Sequence, residues 1–273
     1  MPTKDKQTIQ RIIWLFLLFV WLLRFKQGLL LHQLHLSPFI SPKADNIYWI
    51  YHALQLPHCI IQHFYLGLLL DLLWFFSCLW GIKRSSSRSL GIIILFLVVN
   101  YSIIYNSVAT HHEHKLVGLL FCLPLLILQS PKNFVLAFAG IRYYAIFALF
   151  SAGLWKIWRG SIFFPNQMSE ILKHQHLDYL INYPNSHFST FISYLIDHPY
   201  CSSAFWYGGW ILELSFIVGF ITRKFDKLLG VLFLIFFLMD YLLMHLCFIE
   251  FCIFALLFYP WKGIWNYYET KLV

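Results

Sequence analysis

Apolar runs of about 20 residues recur along the chain, separated by short polar segments. A run of this length crosses the hydrocarbon core of a bilayer as one α-helix. Backbone groups that meet lipid must be hydrogen-bonded within their own segment, which a helix achieves. The pattern therefore predicts an all-α fold, a polytopic integral membrane helical bundle with about eight transmembrane helices.

The composition agrees with a membrane protein. Only 12% of the 273 residues are charged and 60% are hydrophobic, whereas soluble domains carry about 25% charged residues. The apolar runs leave no room for a separate globular domain, so we predict a single domain over 1–273. The net charge of +8 reflects Lys and Arg in short loops, as in membrane proteins. The predicted partner is membrane lipid, not nucleic acid.

Eight spans can be placed, and the fourth and eighth are short for a membrane crossing. The stretch 228–260 is too long for one helix, and Asp240, His245 and Glu250 interrupt it. We expect two helices there with a break near His245, where the backbone must line a cavity or be buried in protein. The predicted spans are 12–31, 60–82, 90–109, 115–130, 134–157, 204–221, 228–244 and 245–261.

The distribution of basic residues predicts the orientation. With the N-terminus inside, the inner loops carry about twice as many Lys and Arg as the outer ones, which places both termini in the cytoplasm. We therefore predict a multi-pass protein of the cell (inner) membrane. The long loops 32–59 and 158–203 then face outside, and we expect the second to form short interfacial helices over the site.

Several ionisable residues fall inside the predicted spans, where such groups usually face the bundle interior and pair with one another. Arg142 and Lys156 are 14 residues apart, close to four helical turns, so they share one helix face. Acids on neighbouring helices must balance them, and the candidates are Glu213, Asp240 and Glu250. The alternative is that such groups form buried ion pairs that only fix helix register. The residues within the spans are Asp71, Arg142, Lys156, Glu213, Asp240, His245 and Glu250.

Lys156 ends the almost wholly apolar stretch 145–156. An ammonium in hydrocarbon costs roughly 2.5–3.5 kcal/mol even on a lenient scale, and desolvation favours the neutral amine, which is the form that acts as a base. Lys156 is therefore a candidate base. The alternative is that it lies near a helix end and extends to the lipid headgroups.

The run 110–114 (Thr-His-His-Glu-His) lies at the predicted outer end of the third and fourth spans. Three His and one Glu are residue types that bind divalent metals. Their spacing is not that of an HExxH motif, and adjacent residues on a helix point about 100° apart. A solvated polar turn is the favoured interpretation, and no metal site is predicted.

Two segments together resemble one family. Arg142 is followed ten residues later by 152–157 (Ala-Gly-Leu-Trp-Lys-Ile), and 208–215 reads Gly-Gly-Trp-Ile-Leu-Glu-Leu-Ser. These segments resemble the horizontally transferred transmembrane (HTTM) family, which includes the membrane domain of vitamin K-dependent γ-carboxylase. In that enzyme the lysine of an Ala-Gly-x-x-Lys-Leu motif is taken as the catalytic base. Lys156 occupies this position here.

Two further segments resemble the family less closely. In 111–120, His112 and Glu113 fall on the positions of a family Asn-His pair, and a shift of one residue would place His114 there instead. The segment 240–250 corresponds to a polar break in the penultimate span of the family. We predict Lys156, His112, Glu113 and Glu213 as catalytic residues and Arg142, Asp240 and His245 as cofactor-binding residues. Of these, Glu113, Asp240 and His245 are chosen for their expected burial in the membrane.

The resemblance implies a reduced quinone (vitamin K or menaquinone hydroquinone) as cofactor, with O₂ and CO₂ as co-substrates. The family lysine takes a proton from the hydroquinone. Oxidation of the hydroquinone to an epoxide then generates a base that is strong enough to remove a proton from a carbon of the substrate, and CO₂ adds to that carbon. That activity would make the protein a carbon–carbon lyase. The large lumenal domain of the animal enzyme has no counterpart in 1–273, so we expect a different peptide or small substrate, or a separate recognition subunit.

Two other functions stay open. DoxX-like membrane redox proteins also carry a Gly-x-x-Lys after an apolar helix and a similar acidic span. A quinone-linked redox subunit is therefore one alternative, recognised by dependence on an electron-transfer partner. A non-catalytic accessory protein for maturation or export of a secreted peptide is the other, and in that case Lys156 would be dispensable.

Overall fold

The computed structural model describes residues 2–38, 50, 53–108, 116–246 and 248–271, and within these ranges it contains helices and no strands. Six of the helices are long and apolar enough to cross a membrane. The predicted all-α membrane bundle is confirmed. The six helices span Lys4–Lys26, Phe64–Lys83, Arg88–Val108, Pro131–Trp158, Pro199–Ile221 and Asp226–Met244.

The fourth and eighth predicted spans are the two shorter apolar helical segments, Gly118–Ile127 and Ile249–Phe258. The first of these is interrupted by Pro124, which has no backbone N–H to continue a helix. The second is a 3₁₀-helix, which is wound more tightly than an α-helix and is rarely this long. About eight spans thus correspond to six full-length helices and two short ones.

Two of the predicted helix boundaries are wrong. Helix α1 covers Pro2–Lys26 instead of 12–31, because Gly28 adopts a left-handed backbone (φ 71°) that stops the helix before the apolar residues after it. The second span is divided at His63, whose extended backbone separates α2 (Leu56–Gln62) from α3 (Phe64–Lys83). A hydropathy profile shows neither helix break, since the sequence on both sides of each break is apolar.

The remaining helices follow in chain order. The 158–203 loop forms helices, as expected from its amphipathic patches, and Pro199 begins the next long helix at a position that tolerates proline. The α-helices are α4 (Arg88–Val108), α5 (Val117–Cys122), α6 (Pro124–Ile127), α7 (Pro131–Trp158), α8 (Gln167–Asn182), α9 (His187–Asp197), α10 (Pro199–Ser215), α11 (Val218–Ile221), α12 (Asp226–Met244) and α13 (Lys262–Lys271), and short 3₁₀ segments lie at Ser161–Phe163 and Ile249–Phe258.

The helices group into two compact units. Unit 1 comprises the described residues of 1–138 and 261–273, and unit 2 comprises those of 139–260. Helix α7 contributes its first turns to unit 1 and its remainder to unit 2. The single-domain interpretation stays a prediction.

In unit 1, α1 packs against α3 around a fully buried tryptophan. The indole N–H of Trp14 donates to the Ser85 carbonyl at 3.3 Å. Its ring lies directly over Gly81 of α3, where a Cβ would fall within 2.3 Å of the ring atoms. A glycine is therefore required at this helix crossing.

Asp71 in α3 is buried, and its carboxylate contacts the turn after α1, not a side chain of a neighbouring helix. The carboxylate accepts the backbone N–H groups of Leu31 and His32 at 3.3 and 2.9 Å, and the His32 ring lies 2.7 Å away. Asp71 thus ties the turn after α1 to α3. Asp71 was expected to pair with another ionisable residue of the spans, but its partners here are the backbone of the turn and the His32 ring.

In unit 2, α12 packs against the 3₁₀ segment through an aromatic core. Phe216, Phe233, Phe254 and Phe258 are all buried, with ring centroids about 6 Å apart. The expected break near His245 is confirmed, since α12 ends at Met244 and His245 takes a left-handed backbone (φ 51°).

We expect Gly81→Ala to destabilise the protein by about 1–3 kcal/mol, because the new methyl group would overlap the buried Trp14 ring. Thermal unfolding in detergent measures the effect. Gly140→Ala is the matched control, since no atom lies within 4 Å of its Cβ position, and alanine favours the helix. Equal melting temperatures for the two variants would contradict the close packing.

Candidate functional site

Lys156 and Glu213 form an ion pair inside unit 2. Lys156 lies in the last turn of α7, and its Nζ donates to Oε1 and Oε2 of Glu213 at 2.8 and 2.7 Å. The side chains are 22% and 4% exposed. The ammonium is therefore directed into the protein and does not extend from the helix end as the alternative predicted. Glu213 is the acid that balances it.

The glycine of the Ala-Gly-x-x-Lys segment makes this pairing possible. A Cβ on Gly153 would lie 2.9 Å from Leu214 Cδ2 and 3.3 Å from Glu213 Cβ. The Trp210 indole N–H donates to the Gly153 carbonyl at 3.1 Å. The absence of a side chain at Gly153 thus lets α10 approach α7 closely enough for Glu213 to reach Lys156.

The ammonium borders a cavity of about 260 Å³ between α7, α8, α10 and α12. Lys156 and Asp240 are its charged lining residues, and most of the remaining wall is apolar. Gly208 and Gly209 also line the cavity, and the positions that their side chains would occupy are open space. The other lining residues are Met168, Ala204, Phe205, Trp206, Leu212, Ile235, Phe236, Met239, Leu243 and Met244.

Two polar groups in the cavity wall lack partners. The Nε1 of Trp206 is buried with no hydrogen-bond acceptor among the described residues, while Lys156 Nζ lies 4.8 Å from its ring centroid. The Asp240 carboxylate likewise has no hydrogen-bond or ion-pair partner in the described part of the chain, although the charges of Lys156 and Glu213 both act on it. The wall therefore presents a donor and an acceptor to whatever fills the cavity.

Helices α8 and α9 lie over the end of α12. They share a hydrophobic cluster that includes Leu172, Ile192 and Leu243, and the buried Ser169 and Ser202 hydroxyls lie 2.7 Å apart between α8 and α10. Met168 of α8 belongs both to this cluster and to the cavity wall. The helical part of the 158–203 loop thus covers one side of the cavity.

His245 lies in this covering layer and not in the cavity wall. Its ring stacks on Phe188 at 4.3 Å and meets the edge of His176 at 5.0 Å between centroids. His176 is itself buried, with Nε2 2.7 Å from the Leu243 carbonyl. Burial and the neighbouring His176 lower the pKa of His245. The residue holds α8 and α9 at the end of α12.

Arg142 is fully buried and lies apart from the cavity. Its Nε donates to Asp226 Oδ2 at 3.1 Å, and its Nη2 donates to Asp226 and to the Gly219 carbonyl. About 21 Å of helix separates it from Lys156. Asp226, which was not among the expected candidates Glu213, Asp240 and Glu250, is thus an ion-pair partner of Arg142.

Sequence reasoning missed Asp226 because it precedes the predicted span 228–244. A signal was present, since an acid in the first helical turn is favoured by the helix dipole. The interpretation of Arg142 as a register-fixing ion pair accounts for its contacts. Its role in cofactor binding has no geometric support in the described residues.

His112 and Glu113, predicted as catalytic residues, lie outside the described residues. Comparison with protein-family models, with curated proteins and with solved structures finds no match to this chain. The site is therefore interpreted from its own geometry.

We expect Arg142→Met or Asp226→Leu alone to cost about 3–5 kcal/mol of stability, because each leaves one buried charge without its partner. The double variant should recover much of the loss, since it removes both charges. Unfolding curves in mixed micelles give all three values. Additive losses in the double variant would contradict a buried pair.

Acidification should loosen the covering layer. The fold lowers the pKa of the His245 ring below the value of about 6.5 that a histidine has in an unfolded chain. Stability contributed by the neutral ring is therefore present above pH 6.5 or so and is lost as the pH falls below it. The protection factors of amides in 167–197, which compare each exchange rate with the intrinsic rate at the same pH, should fall between pH 8 and 5. His245→Phe, which keeps the stacking, should reduce this fall.

Proposed function

We propose that this chain is an HTTM-type membrane enzyme whose unit 2 binds the ring of a reduced quinone and uses Lys156 to take a proton from it. One observation carries the proposal. Lys156, the residue that the family resemblance marks as the base, borders an apolar cavity and is ion-paired with Glu213, the acid of the second resembling segment.

The cavity residues fit such a ring. The wall is largely apolar and aromatic, and an orphaned Trp206 N–H, the Lys156 ammonium and the Asp240 carboxylate can bind ring oxygens. The volume of about 260 Å³ is at the lower end of the roughly 300–1,000 Å³ typical of ligand pockets. It suits one ring system and is too small for a peptide, so a peptide substrate would have to reach the ring from outside or through a partner subunit.

The ion pair has to rearrange before Lys156 acts as a base. As an ammonium it cannot accept a proton, and Glu213 accepts hydrogen bonds from it through both oxygens. In a dry cavity, transfer of the proton to Glu213 removes two buried charges at once, which favours the neutral pair. Glu213 thus both positions Lys156 and can hold its proton.

Exclusion of water stabilises the neutral form of the Lys156–Glu213 pair. The apolar wall and the covering helix α8 limit water near Lys156, and water would restore the two charges by solvating them. A reduced quinone, once bound, would supply the reducing equivalents for oxygen-dependent epoxidation and hence the strong base for carboxylation. Residues of this chain hold the ring, accept its proton and keep the site dry.

The proposed location is the cell (inner) membrane with both termini in the cytoplasm. The excess of Lys and Arg in the inner loops supports this orientation. The cavity would then lie toward the outer face, beneath the helices of the 158–203 loop. A hydrophobic quinone tail would reach it between helices from the surrounding lipid.

We expect the wild-type protein in nanodiscs, supplied with reduced menaquinone or vitamin K hydroquinone under oxygen, to form quinone epoxide. Lys156→Ala should lower the rate about 100-fold or more, as expected for loss of a general base. Lys156→Arg should keep the ion pair with Glu213 and the melting temperature but lose the activity, because a guanidinium cannot give up its proton. Liquid chromatography of the epoxide measures each rate.

Lys173→Ala, an exposed lysine on α8, is the control and should retain wild-type activity. Activity in Lys156→Arg would reject the base and leave a structural ion pair. A folded wild type that forms no epoxide would overturn the carboxylase-like chemistry in this chain. A redox subunit would then oxidise the quinol only with its electron-transfer partner, and an accessory protein would function in cells without Lys156.

A further inference from the structure

The cavity wall contains both hydrogen-bond donors and an acceptor that have no partner among the described residues. On one side, the third N–H of the Lys156 ammonium remains after two donate to Glu213, and the buried Trp206 Nε1 has no acceptor in the described residues. Asp240 lines the same cavity and presents a carboxylate with no donor among the described residues. Each of these groups is left for a ligand to satisfy.

Asp240 is held in place by its backbone. It lies in the last turns of α12, where its carbonyl accepts the backbone N–H of the chain as it leaves the helix. Met239 and Leu243 on the same helix also line the cavity. A carboxylate in such apolar surroundings strongly favours a ligand group that donates a hydrogen bond to it.

We propose that Asp240 is a specificity-determining residue that makes the cavity select a hydroxyl-bearing ring over the corresponding ring dione. A hydroxylated ring can donate to Asp240 and still accept from Lys156 and Trp206. A dione has acceptors only, so it satisfies the ammonium and the indole but places a carbonyl oxygen against the carboxylate. Rejection of an analogue that cannot make a required hydrogen bond is the stronger form of discrimination.

This inference rests on the proposed function, which supplies the kind of ring, but it concerns binding and not catalysis. It assigns Asp240 a role independent of the Lys156 proton transfer. The protein would bind the reduced ring and release the oxidised one, since oxidation removes the hydrogen that Asp240 accepts. Asp240 would thus promote product release.

Equilibrium binding in nanodiscs under anaerobic conditions tests the assignment. The probes are 2-methyl-1,4-naphthalenediol, the matching dione (menadione) and the dimethyl ether of the diol, which keeps the ring but has no hydroxyl hydrogen. Wild type should bind the diol about tenfold or more tightly than either other probe. Asp240→Asn should bring the three affinities close together, because the amide removes the charged acceptor and adds a donor.

Asp178→Asn, an exposed acid on α8, is the matched control and should keep the wild-type preference. Equal binding of diol and dione by wild type, or an unchanged preference in Asp240→Asn, would overturn the role of Asp240 while leaving the quinone-binding cavity intact. Failure of every probe to bind folded wild type would overturn both this inference and the proposed function.

Discussion

Burial of two cations on α7 is the constraint on which unit 2 depends. Arg142 and Lys156 cannot remain unpaired in apolar surroundings, so α10 and α12 must bring Glu213 and Asp226 to them. Glycines lie at both approaches: Gly153 admits α10, and a Cβ on Gly219, whose carbonyl accepts from Arg142, would lie 2.7 Å from Ile146 of α7. Helix positions in this unit follow from these pairs as much as from apolar packing.

The two pairs differ in what surrounds them. The Arg142–Asp226 pair is buried, and a backbone carbonyl accepts a further hydrogen bond from Arg142, so the pair can stabilise the fold but cannot reach a ligand in the cavity. In the second pair, Lys156 borders a cavity, so its ammonium can also contact a molecule bound there. A buried charged residue is a candidate functional residue when it borders a cavity that a ligand can occupy, in addition to having an ion-pair partner.

The helical class could be predicted because length and hydropathy alone decide which runs can cross a bilayer. The break at His245 was also predictable, from the excessive length of 228–260 and its polar residues. The ends of α1 and α3 were not, because Gly28 and His63 act through backbone conformation within apolar sequence. The role of Asp71 was missed since two of its partners are backbone N–H groups, which every sequence contains.

By itself, the sequence determined that the chain is a helical membrane protein and that Lys156 and Arg142 share a helix face, because apolar length and the 3.6-residue period are local properties. Only the tertiary structure decided which acid meets which cation, that Asp240 lines the cavity without a partner among the described residues, and that His245 packs in the covering layer. These outcomes depend on how closely helices distant in sequence approach one another. That distance is set by small residues and side-chain packing across the interface, which no single segment encodes.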